Sequence, residues 1–264
     1  MTDAEADLLL IAEAARAAGE LAVGLRAQGL TIDFKEGDSP VSNADLAADQ
    51  LLTEILRAAR PDYGWLSEET ADNTDRLSRS RLFVVDPIDG TRAYMKDRPW
   101  WAVSIAVVEG SRPTAGVIFA PDVAETYTAV VGQGARLNGQ AIRASETAQV
   151  EGAGMVGDIR MFQHPAWPTP WPPMRVESRN STAYRMCLVA SGAFDGALAL
   201  ARKHDWDLAA ADLIASEAGA VVGDHLGEGF TYNRPNPWQR SLLCAAPRLA
   251  PLILDRVRHI ALGN

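Results

Sequence analysis

The most informative stretch of this 264-residue chain is Leu82-Phe83-Val84-Val85-Asp86-Pro87-Ile88-Asp89-Gly90-Thr91. Its first four residues are all apolar, which predicts a short, buried central strand. Two carboxylates three residues apart follow at the end of that strand. Oxygen ligands of this kind suit Mg²⁺, Ca²⁺ or Mn²⁺, and a helix starting at Gly90 would offer free N–H groups to an anion. The same hexapeptide could instead be a turn that caps a helix.

Helical and strand patterns alternate on both sides of this stretch. Thr2 and Glu5 form a capping-box pattern that predicts a first helix to about Gln28, and a loop is expected from Asp33 to Ala44. The remaining predicted elements are a helix opened by Asp45 and ended by Pro61, strands at 102–108, 115–120 and 126–131, a buried helix at 186–193, and a helix at 207–219 capped by Asp207. This mixture of helices and consecutive hairpin-like strands predicts an α+β fold.

Composition excludes several classes of protein. Acidic residues outnumber basic ones 34 to 25, and the formal net charge of −9 argues against a general nucleic-acid or membrane-surface binder. Two cysteines, Cys187 and Cys244, exclude a disulfide scaffold, and four scattered histidines disfavour a histidine zinc centre. The N-terminal residues are acidic and no stretch resembles a membrane span, so we expect a cytoplasmic protein.

Three more acidic clusters accompany the Asp86–Thr91 hexapeptide. They are Ser67-Glu68-Glu69, the polar segment from Lys35 to Asp45, and Asp207 within Trp206–Ala211. Taken singly, these clusters are typical of an exposed turn, a solvated loop and a helix cap. Carboxylates that converge repel one another unless a cation compensates them, so convergence of several clusters would require a divalent metal.

The order and spacing of these clusters resemble the inositol monophosphatase family, the lithium-sensitive, Mg²⁺-dependent phosphatases. The resemblance runs from Lys35 to Gly219 and rests on Asp38, Ser39-Pro40-Val41-Ser42, Asp45, Glu68-Glu69, Asp86–Thr91 and Trp206–Ala211. It implies a layered αβαβα sandwich. An N-terminal α+β half, residues 1–138, would carry most metal ligands, and a C-terminal half, residues 139–264, would supply Asp207 and substrate contacts.

The resemblance also implies a role for each site residue. Glu68, Asp86 and the carbonyl of Ile88 would hold one Mg²⁺, and Asp86, Asp89 and Asp207 a second. Thr91, paired with Asp45, would orient and activate the attacking water. Glu68 would be a third catalytic residue. The N–H groups of Gly90 and Thr91 would bind the phosphate, while Glu69 and the Lys35–Asp38 loop would flank a third, weaker metal position. Two such ions can clamp the attacking and leaving oxygens of an in-line displacement.

The substrate is predicted to be a small phosphate ester, and its identity is open at this stage. Ser39–Ser42 resembles the 3′(2′),5′-bisphosphate nucleotidase and histidinol-phosphatase branches, and Ala199–Ala201 lacks the acid with which inositol-specific members grip sugar hydroxyls. The basic run Arg202-Lys203-His204 could hold a second phosphate, as on 3′-phosphoadenosine 5′-phosphate, or it could be a solvated loop. We therefore favour a bisphosphate nucleotidase that releases AMP.

The alternatives are an inositol-1-phosphatase, a broad sugar or histidinol phosphatase, and a non-catalytic metal- or phosphate-binding regulator. The completeness of the site disfavours the regulator. Relatives in this family include monomers and homodimers, so either oligomeric state is compatible with the sequence.

Overall fold

The protein is described here by a computed structural model that covers residues 1–35 and 39–262. Its helices are α1 (Asp3–Gln28), α2 (Asn43–Ala59), α3 (Thr91–Tyr94), α4 (Ile159–Phe162), α5 (Thr182–Ala190), α6 (Asp205–Glu217) and α7 (Ala250–Val257). Its strands are β1 (Ile32–Lys35), β2 (Ser39–Ser42), β3 (Gly64–Ser67), β4 (Arg81–Asp89), β5 (Ala102–Glu109), β6 (Arg112–Ala120), β7 (Glu125–Val130), β8 (Ala135–Leu137), β9 (Gln140–Ala141), β10 (Gly154–Val156), β11 (Arg175–Glu177), β12 (Gly196–Ala199), β13 (Lys203–His204), β14 (Val221–Gly223), β15 (Trp238–Gln239) and β16 (Leu242–Ala245).

The larger sheet has seven strands in the order β3 to β9. The β3–β4 pair is parallel, and every later pair is antiparallel. Along β4, Leu82 and Val84 pack into one hydrophobic cluster, whereas Phe83 and Val85 pack into another that includes α1 and α2. Both faces of β4 are therefore covered, which explains why its sequence is apolar without alternation.

The smaller sheet has five strands in the order β11-β10-β12-β16-β14. In β16, Leu242 and Cys244 join the cluster that contains α5 and α6, while Leu243 and Ala245 join a cluster with α7. The layers are thus α1 and α2, the large sheet, α5 and α6, the small sheet, and α7. The predicted αβαβα sandwich of the α+β class is confirmed. The proposed division of the chain at residue 138 stays a prediction.

Three local expectations are corrected by the structure. Residues 32–42 contain the β1–β2 hairpin rather than only a loop, with Ile32 paired with Ser42. Helix α2 begins at Asn43, because Ser42 is its cap. Helix α6 begins at Asp205, so Asp207 lies within its first turn and is not the cap. Glu36–Asp38, most of the segment expected to flank a third metal, lies outside the described residues.

Within the described ranges, no helix combines the length and the apolar character needed to cross a membrane.

Candidate active site

Glu68 and Asp86 are brought together by the pairing of two parallel strands. Ser67 at the end of β3 pairs with Val85 of β4, so the next residue of each strand lies at the same edge of the sheet. The Glu68 N–H donates to the Val85 carbonyl at 3.2 Å and extends this pairing by one residue. The two carboxylates are neighbours because the carboxyl ends of parallel strands coincide.

Asp207 reaches the same place from helix α6, which packs across β4, β5 and β6. The hydroxyl of Ser104 in β5 donates to the Trp206 carbonyl at 3.1 Å and ties the first turn of α6 to the sheet. The His204 N–H donates to Asp207 Oδ2 at 3.0 Å. Asp207 therefore stands at the positive end of the helix, where a carboxylate is favoured.

Ligand atoms of Glu68, Asp86 and Asp207 all lie within 4.8 Å of one another. Asp86 is buried, and its Oδ1 accepts the Ile88 N–H at 3.0 Å. Burial raises the pKa of Asp86 well above its usual value, and the neighbouring carboxylates, Glu68 first, raise it further. The cluster is electrostatically strained without a cation.

Asp89 is held by the start of helix α5. Its Oδ2 accepts the Ser181 hydroxyl at 2.5 Å and the Ala183 N–H at 2.6 Å, and its Oδ1 accepts the Thr182 N–H at 3.2 Å. Burial and the charge of Asp207 raise its pKa to about 7, although these three hydrogen bonds act in the opposite direction.

Thr91 and Asp45 form a pair across the site. Thr91 Oγ1 lies 3.2 Å from Asp45 Oδ1 and 3.1 Å from the Ile88 carbonyl oxygen. The other oxygen of Asp45 accepts the Ser42 N–H at 2.8 Å and the Ser42 hydroxyl at 2.6 Å. The capping box of α2 thus fixes the rotamer of Asp45, and one carboxylate oxygen is left to face Thr91.

Gly90 makes the turn between β4 and α3. Its φ is +98°, and a Cβ at this position would lie 3.0 Å from the Trp100 carbonyl oxygen and 3.1 Å from the Ser181 nitrogen. Only glycine fits this backbone and this spacing without a shift of its neighbours. The first turn of α3 leaves the N–H groups of Gly90 and Thr91 without helical partners.

The acidic cluster fits a magnesium ion. Asp86 Oδ2 is buried and has no hydrogen-bond partner among the described residues. An orphaned carboxylate oxygen beside two further carboxylates is costly unless a cation compensates it, and an all-oxygen donor set is the kind that Mg²⁺ prefers. The residues present therefore match the cofactor predicted from the sequence, but the number of ions is not fixed by this grouping.

A cavity of about 280 Å³ is lined by four of the acids, Glu68, Asp86, Asp89 and Asp207, and by Gly90 and Thr91. Besides the acids, its walls include Arg92, Asn180 and Lys203. Of the basic run predicted to grip a second phosphate, only Lys203 lines this cavity. Arg202 lines a different cavity, and the His204 ring stacks on Trp206 with centroids 4.4 Å apart.

Two residues that hold the site were not identified from the sequence. Asp49 accepts the Ser67 hydroxyl at 2.5 Å and the Thr70 hydroxyl at 2.7 Å, which fixes the chain on both sides of Glu68. Ser181 both caps α5 and binds Asp89. Asp49 lies one helical turn after Asp45, so an acid on the same face of α2 was the available signal. Ser181 is typical of a helix cap, and a cap residue gives no indication in the sequence that it also binds Asp89.

The sequence of this chain is similar to a known protein family and to several of its characterised members. The sequence profile of the inositol monophosphatase family matches residues 4–261. A Nus factor SuhB of Pasteurella multocida is 32% identical over 255 residues, covering 93% of this chain and 93% of that protein. A histidinol-phosphatase of Mycobacterium tuberculosis is 32% identical over 249 residues, 86% of this chain and 93% of that protein.

Solved structures show the same fold. The extragenic suppressor protein suhB from Bartonella henselae superposes with a TM-score of 0.82 at 26% identity, covering 97% of this chain and all of that one (100%). An IMPase of Thermotoga maritima gives a TM-score of 0.80 at 26% identity, covering 93% and 94% of the two chains.

Proposed function

Because the chain belongs to the inositol monophosphatase family, a family of phosphatases, we propose that its acidic site hydrolyses a small phosphate monoester with Mg²⁺ as cofactor. The observation that carries this proposal is the grouping of Glu68, Asp86 and Asp207 within 4.8 Å, beside the Thr91–Asp45 pair. These two features are what a water-mediated phosphoester hydrolysis requires: a place for cations and a group that can take a proton.

Glu68, Asp86 and the Ile88 carbonyl would hold one Mg²⁺, and Asp86, Asp89 and Asp207 would hold a second. When bound, Mg²⁺ would polarise the phosphoryl oxygens and make a nearby water more acidic. Among the described residues, Asp89 Oδ1 accepts only the 3.2 Å Thr182 N–H bond, so it retains an acceptor position toward the cavity. The N–H groups of Gly90 and Thr91 would bind the phosphate oxygens.

The chain's own contribution to the chemistry is to hold and move a proton. Water attacks phosphorus while it donates a proton to Thr91 Oγ1, and the Thr91 hydroxyl proton passes to Asp45 Oδ1 at 3.2 Å. The phosphorus–oxygen bond to the alcohol breaks, and the leaving oxygen takes up a proton from solvent. The two hydrogen bonds from Ser42 keep Asp45 in place throughout.

The substrate proposed is an ester that carries a second anionic group, with 3′-phosphoadenosine 5′-phosphate as the representative. Two cationic residues, Arg92 and Lys203, line the cavity in addition to its acids. Lys203 forms no ion pair with any described residue, so a second phosphate is a suitable partner for it. Among the basic run predicted from the sequence, we therefore assign this role to Lys203 and not to Arg202 or His204.

Histidinol phosphate is the second candidate, because a relative named histidinol-phosphatase is 32% identical over 86% of the chain. Its amine is cationic and would be repelled by Lys203, whereas the second phosphate of the bisphosphate would be attracted to it. The four carboxylates of the cavity, which would attract an amine, are the groups proposed to hold Mg²⁺.

The test is phosphate release from 3′-phosphoadenosine 5′-phosphate, inositol 1-phosphate and histidinol phosphate, each with Mg²⁺ and with a chelator. We expect Mg²⁺-dependent release and a preference of tenfold or more in kcat/KM for the bisphosphate, about 1.4 kcal/mol in transition-state binding. The variant Lys203→Gln should lose most of this preference and keep its rate on inositol 1-phosphate. Arg57→Gln, which removes an exposed positive charge on α2, is the matched control.

Faster release from histidinol phosphate would replace the bisphosphate assignment with the second candidate. Undiminished release by an Asp207→Asn variant would show that the metal ligands are wrongly assigned. Failure to release phosphate from any of the three esters with Mg²⁺ present would favour a non-catalytic role.

A further inference from the structure

A second cavity lies beside the ribbon formed by β13 and β15. Its volume is about 700 Å³, and it shares no lining residue with the cavity of the acidic site. Lys203 of β13 lines the acidic cavity, whereas the preceding residue, Arg202, lines the second one. The two cavities therefore meet the chain at consecutive residues at the start of β13.

The second cavity contains more positive charge than its acids compensate. Arg240 is paired with Asp224 at 3.2 Å and with Glu228 at 3.3 Å, which uses both acids of the lining. Neither Arg202 nor Arg234, which also line the cavity, forms an ion pair with any residue in the described ranges. Among the described residues, these two guanidinium groups therefore have no carboxylate within ion-pair distance, although the charge of Arg234 acts on the nearby Asp205 and opposes the rise of its pKa.

Both guanidinium groups are held in place by Trp238. The guanidinium carbon of Arg202 lies 4.0 Å from the centre of the Trp238 ring, and Arg234 donates to the Trp238 carbonyl at 2.5 Å. The Nε of Arg234 is buried and has no hydrogen-bond partner among the described residues. A buried, unsatisfied donor on a charged group is costly, so a shift of the Arg234 side chain that let a ligand accept from it would be favourable.

We propose that this cavity binds a small organic phosphate through Arg202 and Arg234. Guanidinium groups present paired donors that match phosphate oxygens. Stacking on the Trp238 ring orients Arg202 in advance, and the bond to the Trp238 carbonyl does so for Arg234. The volume falls within the range of sites that enclose a small-molecule ligand, and it exceeds what an inorganic anion alone would fill. This inference does not depend on the reaction proposed for the acidic site.

The position of the cavity links it to the acidic site through the backbone. Gln239 of β15 lines the cavity, pairs with Lys203, and donates from Nε2 to Asp205 Oδ1 at 2.9 Å. Asp205 opens helix α6, which carries Asp207. A ligand in the second cavity therefore touches the segment that leads directly into the helix of a proposed metal ligand.

The test is calorimetric titration of the full-length protein with AMP in the presence of a chelator, with adenosine as the uncharged comparison. Without divalent cations the carboxylates of the acidic site repel anions, so the second cavity is the one available. We expect saturable AMP binding and no adenosine binding. Arg202→Gln and Arg234→Gln should each weaken AMP binding at least tenfold, and Arg202→Lys should restore part of it.

Two controls locate the site. Lys203→Gln changes the acidic cavity only and should leave AMP binding unchanged, as should Arg57→Gln. No hydrogen bond joins the Arg202 side chain to another described residue, so its variant is expected to keep the wild-type melting temperature even if Arg234→Gln unfolds. The proposal is overturned if AMP does not bind with a dissociation constant below about 10 mM, if Arg202→Gln binds it normally, or if Lys203→Gln alone abolishes binding.

Discussion

The acidic cluster should destabilise the protein when no metal is bound, and the variant Asp86→Asn tests this directly. Asparagine keeps the oxygen that accepts the Ile88 N–H and replaces the orphaned Oδ2 with an uncharged donor. Ligand atoms of Glu68, Asp86 and Asp207 lie within 4.8 Å. At an effective dielectric constant of about 20, two unit charges at this separation repel by about 3.5 kcal/mol.

Glu68 and Asp207 are partly exposed, so solvent screens this repulsion, and we expect a net gain of about 2 kcal/mol in the free energy of unfolding. An entropy of unfolding of about 2.1 cal/mol/K per residue gives about 0.55 kcal/mol/K for this chain length, so the melting temperature should rise by about 4 °C. Phosphatase activity should be lost at the same time, because Asp86 is a proposed metal ligand.

The assay is thermal unfolding followed by circular dichroism in a chelator, at pH 5 and at pH 8. The pKa of Asp86 is raised in the folded state. Its contribution to stability is therefore complete below the unfolded pKa and is lost as pH rises through the folded one. The advantage of Asp86→Asn should thus be larger at pH 8 than at pH 5, and excess Mg²⁺ should reverse it by stabilising the wild type.

Asp195→Asn is the matched control. The pKa of Asp195 is lowered, although burial acts to raise it, because Ser145, Thr147 and the Gly154 N–H donate to its carboxylate. This acid is stabilised by its surroundings, so its amide variant should be less stable than the wild type. If Asp86→Asn also melted below the wild type in chelator at pH 8, the account of a self-repelling cluster would be refuted.

Three further outcomes are expected. Thr91→Ala should lower kcat about 100-fold with little change in KM, because the hydroxyl that faces Asp45 is lost, and Thr91→Ser should recover most of the rate in the same phosphate-release assay. Gly116→Ala should cost about 1–3 kcal/mol in urea unfolding, because a Cβ there would lie 3.0 Å from the Ala210 carbonyl oxygen. Trp101→Phe should lower the free energy of unfolding by about 1–3 kcal/mol, since its buried ring donates to a carboxylate at 2.7 Å, and chemical denaturation would show it.

Local sequence signals were sufficient for most of the secondary structure. The apolar β4 stretch, the Thr2–Glu5 capping box and the end of α1 at Gln28 were predicted from residues close together in the chain. The short strands of the smaller sheet were not predicted, and neither was the β1–β2 hairpin, where local signals compete. The polar residues around Asp33 are typical of a loop, yet their backbone pairs with Pro40 to Ser42 in a hairpin. Strand pairing satisfies backbone hydrogen bonds regardless of side-chain polarity.

The acidic site was predicted from the sequence only through resemblance to a family. Glu68 and Asp86 are eighteen residues apart and Asp207 is far beyond both, so no local periodicity shows that they meet. Their convergence follows from the Ser67–Val85 register and from the packing of α6 on β5. Long-range pairing of this kind depends on the whole chain and not on the residues that it joins.

The sequence by itself determined which residues are candidates for the chemistry: the carboxylates, the glycine turn and the basic run from Arg202 to His204. Only the tertiary structure decided which of them share a cavity. Strand β13 has two residues, too few for a periodic pattern, and the folded chain places Lys203 with the acids and the preceding residue, Arg202, over the ring of Trp238. Side chains that are adjacent in the chain thereby line different cavities. The sequence shows that they are adjacent, but only the packing of distant elements decides what surrounds each of them.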